Sequence, residues 1–255
     1  MQNQPVQEFF STLFQPSGHD VDYNKRLRLT SFMQKTQEAA EAHATLYGCG
    51  YDDLIKQNIV WVLSRMQIVI TRMPEWGEPL RLDTWHKRVE RIFALRDFIL
   101  YDASETPVIK ATCAWLLMDI HSRRMLRIEH FLPHLAKVNI AHDAIREIPD
   151  KLNVPDENRL TLDQNHIVGY SDLDLNNHVN NTKYVEWALD LVLLEDDNPG
   201  LHTMTFFQIN FNMEARKGDW VDLWFDPGTG LGWSTQYIEG RRNGQSLFQA
   251  ICKFE

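Results

Sequence analysis

The chain has 255 residues, of which 44% are hydrophobic and 24% charged, an ordinary composition for a soluble globular protein of one large domain or two small ones. The formal net charge of −9 disfavours nonspecific nucleic-acid binding, and no apolar run approaches the roughly 18 residues that cross a bilayer, so we expect neither nucleic acid nor membrane as a partner. Residues 1–10 lack the pattern of a secretory signal. The three cysteines are scattered and form no CxxC pair, which argues against disulfides and against a cysteine-bound metal. Both observations favour a reducing cytoplasm.

The first half of the chain begins with an alternating polar segment. Asp20, Asp22 and Asn24 stand shortly before an alanine-rich stretch, residues 31–47, which we predict to be a helix closed by Gly48. Runs rich in β-branched and aromatic residues then predict strands at 80–89, 93–101 and 108–119.

Residues 129–165 differ in composition from both flanks. Three prolines and mixed charge indicate a linker with one short helix rather than a further domain. We therefore predict an N-terminal repeat at 1–128 and a C-terminal repeat at 166–255.

The second half repeats the polar segment of the first. Asp172, Asp174 and Asn176 stand in the same frame as the earlier Asp, Asp and Asn. The helix that follows has an apolar stripe with the spacing of a buried helix face, formed by Tyr184, Trp187, Ala188, Leu191 and Val192. Strands are predicted at 220–225, 232–238 and 246–254, separated by the turn residues Pro227-Gly228 and Arg242-Asn243-Gly244.

A second correspondence lies downstream of the two helices. Residues 65–70 align with residues 206–211, and Gly77 then matches Gly218. Each half therefore reads as a strand, a long helix and about four antiparallel strands. We predict an α+β fold in which each helix packs on a curved antiparallel sheet.

The two halves differ at two titratable positions. Where the second half has His178 and Glu214, the first has Arg26 and Met73, and neither of these can act as a general base near neutral pH. We infer one functional site per chain, held mainly by the second half, while the first half is free to shape a substrate chamber.

The candidate catalytic residues are Asp174, Asn176, His178 and Glu214. The first three alternate, so in an extended segment their side chains share one face. The N–H groups at the start of the following helix suit a carbonyl oxygen that becomes an oxyanion. A carboxylate could activate water or attack directly, so the set fits a hydrolase.

Each of these residues also has a simpler explanation. Asp174 and Asn180 suit the start of a helix, His178 alone suits a structural hydrogen bond, and Glu214 alone suits a surface strand. Their combination in one half and its loss in the other favour the functional interpretation.

Other motifs in the chain are incomplete. The polar segment imitates the start of a calcium loop, but Asn177 replaces the turn glycine and Lys183 the terminal glutamate, so we predict no metal site. No GxSxG elbow is present, which disfavours an ordinary serine hydrolase.

At these residues the sequence resembles the acyl-ACP thioesterases of plant plastids and bacteria, which are double hot-dog proteins with two tandem repeats. The resemblance covers almost the whole chain. It is carried by Trp61-Val-Leu-Ser-Arg65-Met66, Pro74-Glu-Trp76-Gly77-Glu78, Glu90-Arg91-Ile-Phe-Ala-Leu-Arg96-Asp97-Phe98-Ile99-Leu100 and Tyr170-Ser-Asp172-Leu-Asp174-Leu-Asn176-Asn177-His178-Val-Asn180-Asn181-Thr-Lys-Tyr184.

The resemblance implies hydrolysis of a fatty acyl thioester on acyl carrier protein (ACP), which releases a free fatty acid and ends chain elongation. The family's catalytic Asp, Asn, His and acidic residue fall on Asp174, Asn176, His178 and Glu214, and no cofactor or metal is required. The position after the acidic residue, often Cys in plant members, is Ala215 here. This departure favours a carboxylate- or water-based mechanism.

The partner implied is ACP bearing a phosphopantetheine-linked acyl chain, on a protein that is a monomer or a homodimer. An acidic carrier would need basic groups, for which the candidates are Arg123, Arg124 and Arg127, or Arg216 and Lys217, or Arg241 and Arg242. Three alternatives stay open: an acyl-CoA thioesterase of the same fold, a noncatalytic acyl-binding hot-dog protein, and a hot-dog dehydratase.

Overall fold

The computed structural model describes residues 8–154, 157–194, 203–226 and 235–255. The chain divides into two compact units. The first comprises the residues up to Ser64 together with Thr71–Pro149, and the second comprises Arg65–Ile70 together with Asp150–Glu255. The repeat boundaries expected at residues 128 and 166 stay a prediction.

The first unit contains a long helix and antiparallel strands. In chain order the elements are β1 (Phe10–Phe14), α1 (Leu29–Leu46), α2 (Tyr51–Leu54), β2 (Ile59–Ile70), β3 (Leu80–Glu90), β4 (Phe93–Tyr101), β5 (Pro107–Asp119), β6 (Met125–Leu126), α3 (Ile128–Phe131) and α4 (Pro133–Ala136), with residues 65–70 of β2 belonging to the second unit. Antiparallel pairing joins β1 to β3, β3 to β4, β4 to β5 and β5 to β6. The three strands predicted from β-branched and aromatic runs are confirmed as β3, β4 and β5.

Helix α1 packs one face against β1 and β3. Its buried positions recur every three or four residues, as at Phe32, Thr36, Ala40 and His43. Gly48 follows the helix with φ +67°, a backbone conformation that costs glycine little. The predicted helix and its glycine end are confirmed, although α1 begins at Leu29 rather than at residue 31.

The region predicted to be a linker with one short helix contains two, α3 and α4, followed by an extended segment that packs on β3. Lys87 of β3 is fully buried, and its Nζ lies 2.8 Å from the Ile145 carbonyl oxygen and 2.7 Å from Asp143 Oδ1. Asp97 Oδ2 lies 3.3 Å from the same nitrogen. A buried ammonium needs such partners, so this charge anchors the segment to the first unit.

The second unit repeats the same order of elements. They are β7 (Thr161–Ile167), α5 (Asn181–Leu194), β8 (Met204–Phe211), β9 (Trp220–Asp226), β10 (Thr235–Arg242) and β11 (Gln245–Phe254). Antiparallel pairing runs from residues 65–69 of β2 to β8, and then through β11, β10 and β9 to β7. The predicted start of a strand at residue 232 and the predicted Pro227-Gly228 turn lie outside the described residues.

Helix α5 packs on β9 and β10 and buries the predicted apolar stripe. Tyr184, Trp187, Ala188, Leu191 and Val192 are all buried. Each unit therefore combines one long helix with antiparallel strands, which confirms the predicted α+β architecture. In the part of the chain that the structure describes, no helix is long and apolar enough to cross a membrane.

Candidate active site

The polar loop of the first half is a turn built on Asp22. Its Oδ1 accepts hydrogen bonds from the backbone N–H groups of Asn24 (2.8 Å) and Arg26 (2.9 Å). The N–H of Lys25, which has φ 61°, donates to the Asp22 carbonyl oxygen. The carboxylate thus satisfies backbone donors inside its own loop.

The polar loop of the second half is the same turn, built on Asp174. Its Oδ1 accepts from the N–H groups of Asn176 (2.8 Å) and His178 (3.1 Å). Asn177 has φ 60° and donates to the Asp174 carbonyl oxygen. The D-x-D-x-N frame therefore encodes a loop conformation in both halves, whether or not chemistry is attached to it.

The first aspartate of each D-x-D-x-N frame, Asp20 or Asp172, also makes an equivalent hydrogen bond to the backbone. Asp20 Oδ2 accepts from the N–H of Ser17 (2.8 Å), and Asp172 Oδ2 accepts from the N–H of Gly169 (2.7 Å). The further partner differs, because Asp20 is bonded by the Ser17 hydroxyl whereas Asp172 lies 3.0 Å from His166 Nε2. His166 in turn packs on the Trp187 ring of α5, with ring centroids 4.3 Å apart.

The loop of the second half presents His178 to Glu214. His178 Nε2 lies 3.3 Å from Glu214 Oε2, and the two side chains are 18% and 30% exposed. Arg216 Nη2 lies 3.1 Å from the same imidazole nitrogen. Nε2 accepts from Arg216 when it is unprotonated and donates to Glu214 when it carries the proton, so the tautomer decides which contact forms.

Two backbone contacts place Glu214 beside this loop. The Val179 N–H donates to the Ala215 carbonyl oxygen at 2.9 Å, and the Ala215 N–H donates to the Tyr184 hydroxyl at 2.9 Å. Tyr184 is buried on α5, and burial raises the pKa of its phenol. A neutral hydroxyl from the helix thereby holds the segment that carries Glu214.

The other predicted residues divide between roles. Asn176 is exposed, and its backbone N–H belongs to the Asp174 turn. Asn180 caps α5, since its Oδ1 accepts from the Thr182 N–H (3.0 Å) and hydroxyl (2.9 Å). The capping explanation therefore holds for Asn180, whereas Asp174 serves the preceding turn. One helix N–H that was expected to face an oxyanion is taken up by this cap.

The structure adds three residues that the sequence did not assign to the site. Arg216 was considered only for binding a carrier, Tyr184 only as a core residue, and His166 was not considered. His166 could have been found by extending the comparison of the halves upstream, where the first half has Phe14.

Neither a thiol nor a metal cluster joins this site. Cys49, Cys113 and Cys252 are buried and unpaired, and burial raises the pKa of Cys49 and of Cys113 to about 12. Within the described ranges, no group of three or more His, Cys, Asp or Glu side chains is arranged to hold a metal ion.

Comparison with known proteins identifies the family. The family model of the acyl-ACP thioesterase N-terminal domain matches residues 7–132, and that of the acyl-ACP thioesterase C-terminal domain matches residues 156–255. Among curated relatives, the chloroplastic oleoyl-acyl carrier protein thioesterase 2 of Arabidopsis thaliana is 28% identical over 80% of this chain and 59% of that protein. The chloroplastic palmitoyl-acyl carrier protein thioesterase of Gossypium hirsutum is 29% identical over 82% of this chain and 52% of that protein. The chain thus spans only about half to three-fifths of the length of these relatives.

Solved structures agree on the fold. An acyl-ACP thioesterase from Bacteroides thetaiotaomicron superposes with a TM-score of 0.84 at 24% identity, covering 97% of this chain and 98% of that one. The 12:0-ACP thioesterase from Umbellularia californica superposes with a TM-score of 0.83 at 21% identity, covering 98% of both chains. The fold is the predicted double hot-dog, and the chain belongs to the acyl-ACP thioesterase family.

Proposed function

We propose that this protein hydrolyses fatty acyl thioesters carried by ACP, releasing free fatty acid and holo-ACP and so terminating chain elongation. Membership of the family and the activities in its relatives' names support the reaction class. The observation that carries the assignment to this chain is the 3.3 Å contact between His178 and Glu214, at a loop whose twin has Arg26 and Met73 instead.

In the proposed mechanism Glu214 acts as the general base. It removes a proton from a water molecule whose oxygen attacks the thioester carbonyl carbon, and the C–S bond then breaks as the pantetheine sulfur takes up a proton. His178 and the Asn176 amide position the water and the thioester. The scheme requires neither a covalent acyl-enzyme nor a cysteine, in keeping with Ala215 beside the base.

Asp174 has the orienting role in this scheme. Its Oδ1 holds the N–H groups of Asn176 and His178, as the Oδ1 of Asp22 holds the corresponding groups in the half without His178. A carboxylate already bonded to its own backbone is less suited to hold a water molecule. This comparison supports an orienting role for Asp174, and the contact with His178 supports Glu214 as the base.

The test uses purified Glu214→Gln and His178→Asn variants in an acyl-ACP hydrolysis assay. General-base catalysis contributes on the order of 10² to 10⁴ in rate, so kcat should fall at least about 100-fold in Glu214→Gln. The same side chains introduced at the twin positions, Met73→Gln and Arg26→Asn, serve as matched controls and should leave kcat near that of the wild type. A kcat near that of the wild type in folded Glu214→Gln would contradict the assignment of Glu214 as the general base.

The preference for ACP over coenzyme A is part of the proposal. Comparison of kcat/KM for acyl-ACP and acyl-CoA of equal chain length separates the two, and a higher value for acyl-CoA would contradict it. Ligand binding without turnover would favour a noncatalytic acyl-binding protein, and hydration of enoyl thioesters would favour a dehydratase. Cytoplasmic location and a monomeric or homodimeric state stay predictions.

The basic groups expected to contact ACP differ in their surroundings. Arg241 is paired with Glu157 and Glu239, and Arg242 with Asp219, so their charges are already balanced within the chain. Arg124, Arg127 and Lys217 are exposed. We propose that docking of the acidic carrier relies on these exposed cations. Binding of the carrier should therefore weaken as salt is added.

A further inference from the structure

Arg216 lies beside the proposed catalytic pair, and the proposed hydrolysis gives it no role. Its Nη2 lies 3.1 Å from His178 Nε2, a shorter distance than the 3.3 Å between that nitrogen and Glu214 Oε2. The Arg216 side chain is exposed, and an exposed arginine gains little stability from a surface partner. The contact is therefore better explained by the site than by the stability of the fold.

The backbone of Arg216 is fixed in a tight turn. Its N–H donates to Asp219 Oδ2 at 2.8 Å, and the Asp219 N–H donates to the Arg216 carbonyl oxygen at 3.0 Å. Gly218 inside the turn has φ +86°, a conformation that costs glycine little. The Asp219 carboxylate is also paired with Arg242. These bonds use the backbone of Arg216, so replacement of its side chain should leave the turn in place.

The first half contains the same turn with the opposite charge. Glu75, the residue aligned with Arg216, donates its N–H to Glu78 Oε2 at 2.9 Å, and the Glu78 N–H donates to the Glu75 carbonyl oxygen at 3.2 Å. Gly77 stands in this turn with φ +74°. Where the second half has a histidine and an arginine in contact, the first has Arg26 and Glu75, whose backbones form a β-bridge. The turn is thus shared, and the cation at its second position belongs to the half with the proposed catalytic pair.

A guanidinium determines which nitrogen of a neighbouring imidazole carries the proton. Arginine stays protonated near neutral pH and can only donate hydrogen bonds. A nitrogen that accepts from it carries no proton, so the proton of the neutral His178 ring then lies on Nδ1. In the other tautomer the proton on Nε2 is donated to Glu214 and also faces the cation of Arg216.

The other groups beside His178 do not compete for this nitrogen. Asp174 Oδ1 accepts from the backbone N–H of His178 rather than from its ring. The Tyr184 hydroxyl of α5 accepts from the backbone N–H next to Glu214, and burial raises the pKa of its phenol, so it is uncharged at neutral pH. Among the described residues, the polar contacts found for the His178 ring are those with Arg216 and Glu214. The choice of tautomer lies between these two partners.

We propose that Arg216 is a positioning residue, which holds the imidazole proton of His178 on Nδ1 and so prevents the ring from donating to Glu214. A carboxylate that accepts a hydrogen bond from an imidazole is a weaker base, because the bond stabilises its charged form. With the proton on Nδ1, Glu214 keeps the basicity that removal of a proton from water requires. This consequence for the rate rests on the proposed function, whereas the tautomer is a property of the protein without substrate.

The first experiment is ¹⁵N NMR of the histidine rings in the substrate-free protein at pH 8, where an ordinary imidazole is neutral. An unprotonated ring nitrogen resonates far downfield of a protonated one, and the signals of His178 are those lost in His178→Asn. Free histidine prefers the proton on Nε2, so a ring with its proton on Nδ1 is a specific signature. We expect this signature in the wild type and its reversal in Arg216→Met.

Two further variants test whether the guanidinium of Arg216 is responsible. Lys217→Met removes a positive charge from the next residue, which is also exposed, and should leave the tautomer of His178 unchanged. Arg216→Lys keeps a positively charged donor and should keep the proton on Nδ1. Reversal in Lys217→Met as complete as in Arg216→Met would contradict a specific role of Arg216.

The second experiment measures acyl-ACP hydrolysis by the Arg216 variants. We expect kcat to fall at least about tenfold in Arg216→Met with KM little changed, since a weaker base slows the chemical step. Arg216→Lys should retain most of the wild-type kcat. A raised KM at unchanged kcat, with the tautomer also unchanged, would overturn the proposal and show that Arg216 contacts the substrate or its carrier.

The two experiments distinguish failure of this proposal from failure of the proposed function. A wild-type His178 ring with its proton on Nε2 would overturn the role of Arg216 even in a protein that hydrolyses acyl-ACP. A reversed tautomer in Arg216→Met with an unchanged kcat would overturn its consequence for the base. Absence of hydrolysis by the wild type would contradict the proposed function, whereas the spectra without substrate would still decide the tautomer.

Discussion

His178 and Arg26 occupy the same place in two copies of one turn. The role of a residue in one half can therefore be judged against the equivalent residue in the other half. The backbone bonds to Asp22 and Asp174 are alike, and the difference lies in what the turn presents. In the second half it presents an imidazole to a carboxylate and to Arg216. The polar frame thus has a structural role in both halves and a proposed chemical role in one.

This comparison predicts the outcome of removing each turn carboxylate. Asp22→Ala and Asp174→Ala each leave two backbone N–H groups without their charged acceptor, so each should lower the free energy of unfolding by about 1–3 kcal/mol. Only Asp174→Ala should also abolish acyl-ACP hydrolysis. Urea unfolding and a thioesterase assay on the same preparations measure both effects. A large loss of stability in one variant alone would contradict the equivalence of the turns.

At the scale of elements, α1 and α5 are equivalent helices with different starts. Asn180 caps α5 through its side chain, whereas Arg28 precedes α1 without a capping side-chain bond. The cap lies directly between the proposed catalytic turn and the helix that carries Tyr184. Helix geometry and site geometry are therefore coupled in the second half.

Replacing the two residues before the helices tests this difference. Asn180→Ala should cost about 1 kcal/mol of unfolding free energy, the usual cost of losing an N-cap, because two bonds to Thr182 disappear. Arg28→Ala removes no cap and should change stability little. Urea denaturation of the two variants measures their free energies of unfolding. An equal loss of unfolding free energy in both variants would contradict a capping role for Asn180.

At the scale of the whole molecule, buried titratable groups make stability depend on pH. Burial places the pKa of His86 at about 3 in the folded state, below its ordinary value near 6.5. The unfolded chain therefore takes up this proton first as the pH falls. The stability that neutral His86 contributes is present above pH 6.5 and is lost progressively between pH 6.5 and pH 3.

Between pH 7 and pH 5 this single group should cost the protein about 2 kcal/mol. His86→Gln cannot titrate, so the stability of the wild type relative to this variant should fall by that amount over the same interval. Urea unfolding of both proteins at the two pH values measures the change, in which the contributions of the other titratable groups cancel. A difference that is independent of pH would show that His86 is protonated alike in both states.

Local patterns in the sequence were sufficient for the elements and for the repeat. The 3.6-residue period of Tyr184, Trp187, Ala188, Leu191 and Val192 predicted a buried helix face because side chains on one face of a helix recur at that spacing. Alignment of the halves singled out His178 and Glu214, because the aligned residues of the first half, Arg26 and Met73, differ from them in chemical type. The α+β class followed from the same local information, whereas the double hot-dog fold was implied by the resemblance to the acyl-ACP thioesterases.

Only the tertiary structure decided which groups meet. That Arg216 shares His178 Nε2 with Glu214 and that Tyr184 holds Ala215 depend on strands and loops distant in sequence being brought together. Arg96 is the extreme case, because in the sequence it resembles any surface cation of a strand. Its burial follows from how α1 and four strands pack around it, and no local pattern records that packing. Composition and periodicity determine what each segment becomes, whereas the partners of a polar group are set by chain segments that only folding brings into contact.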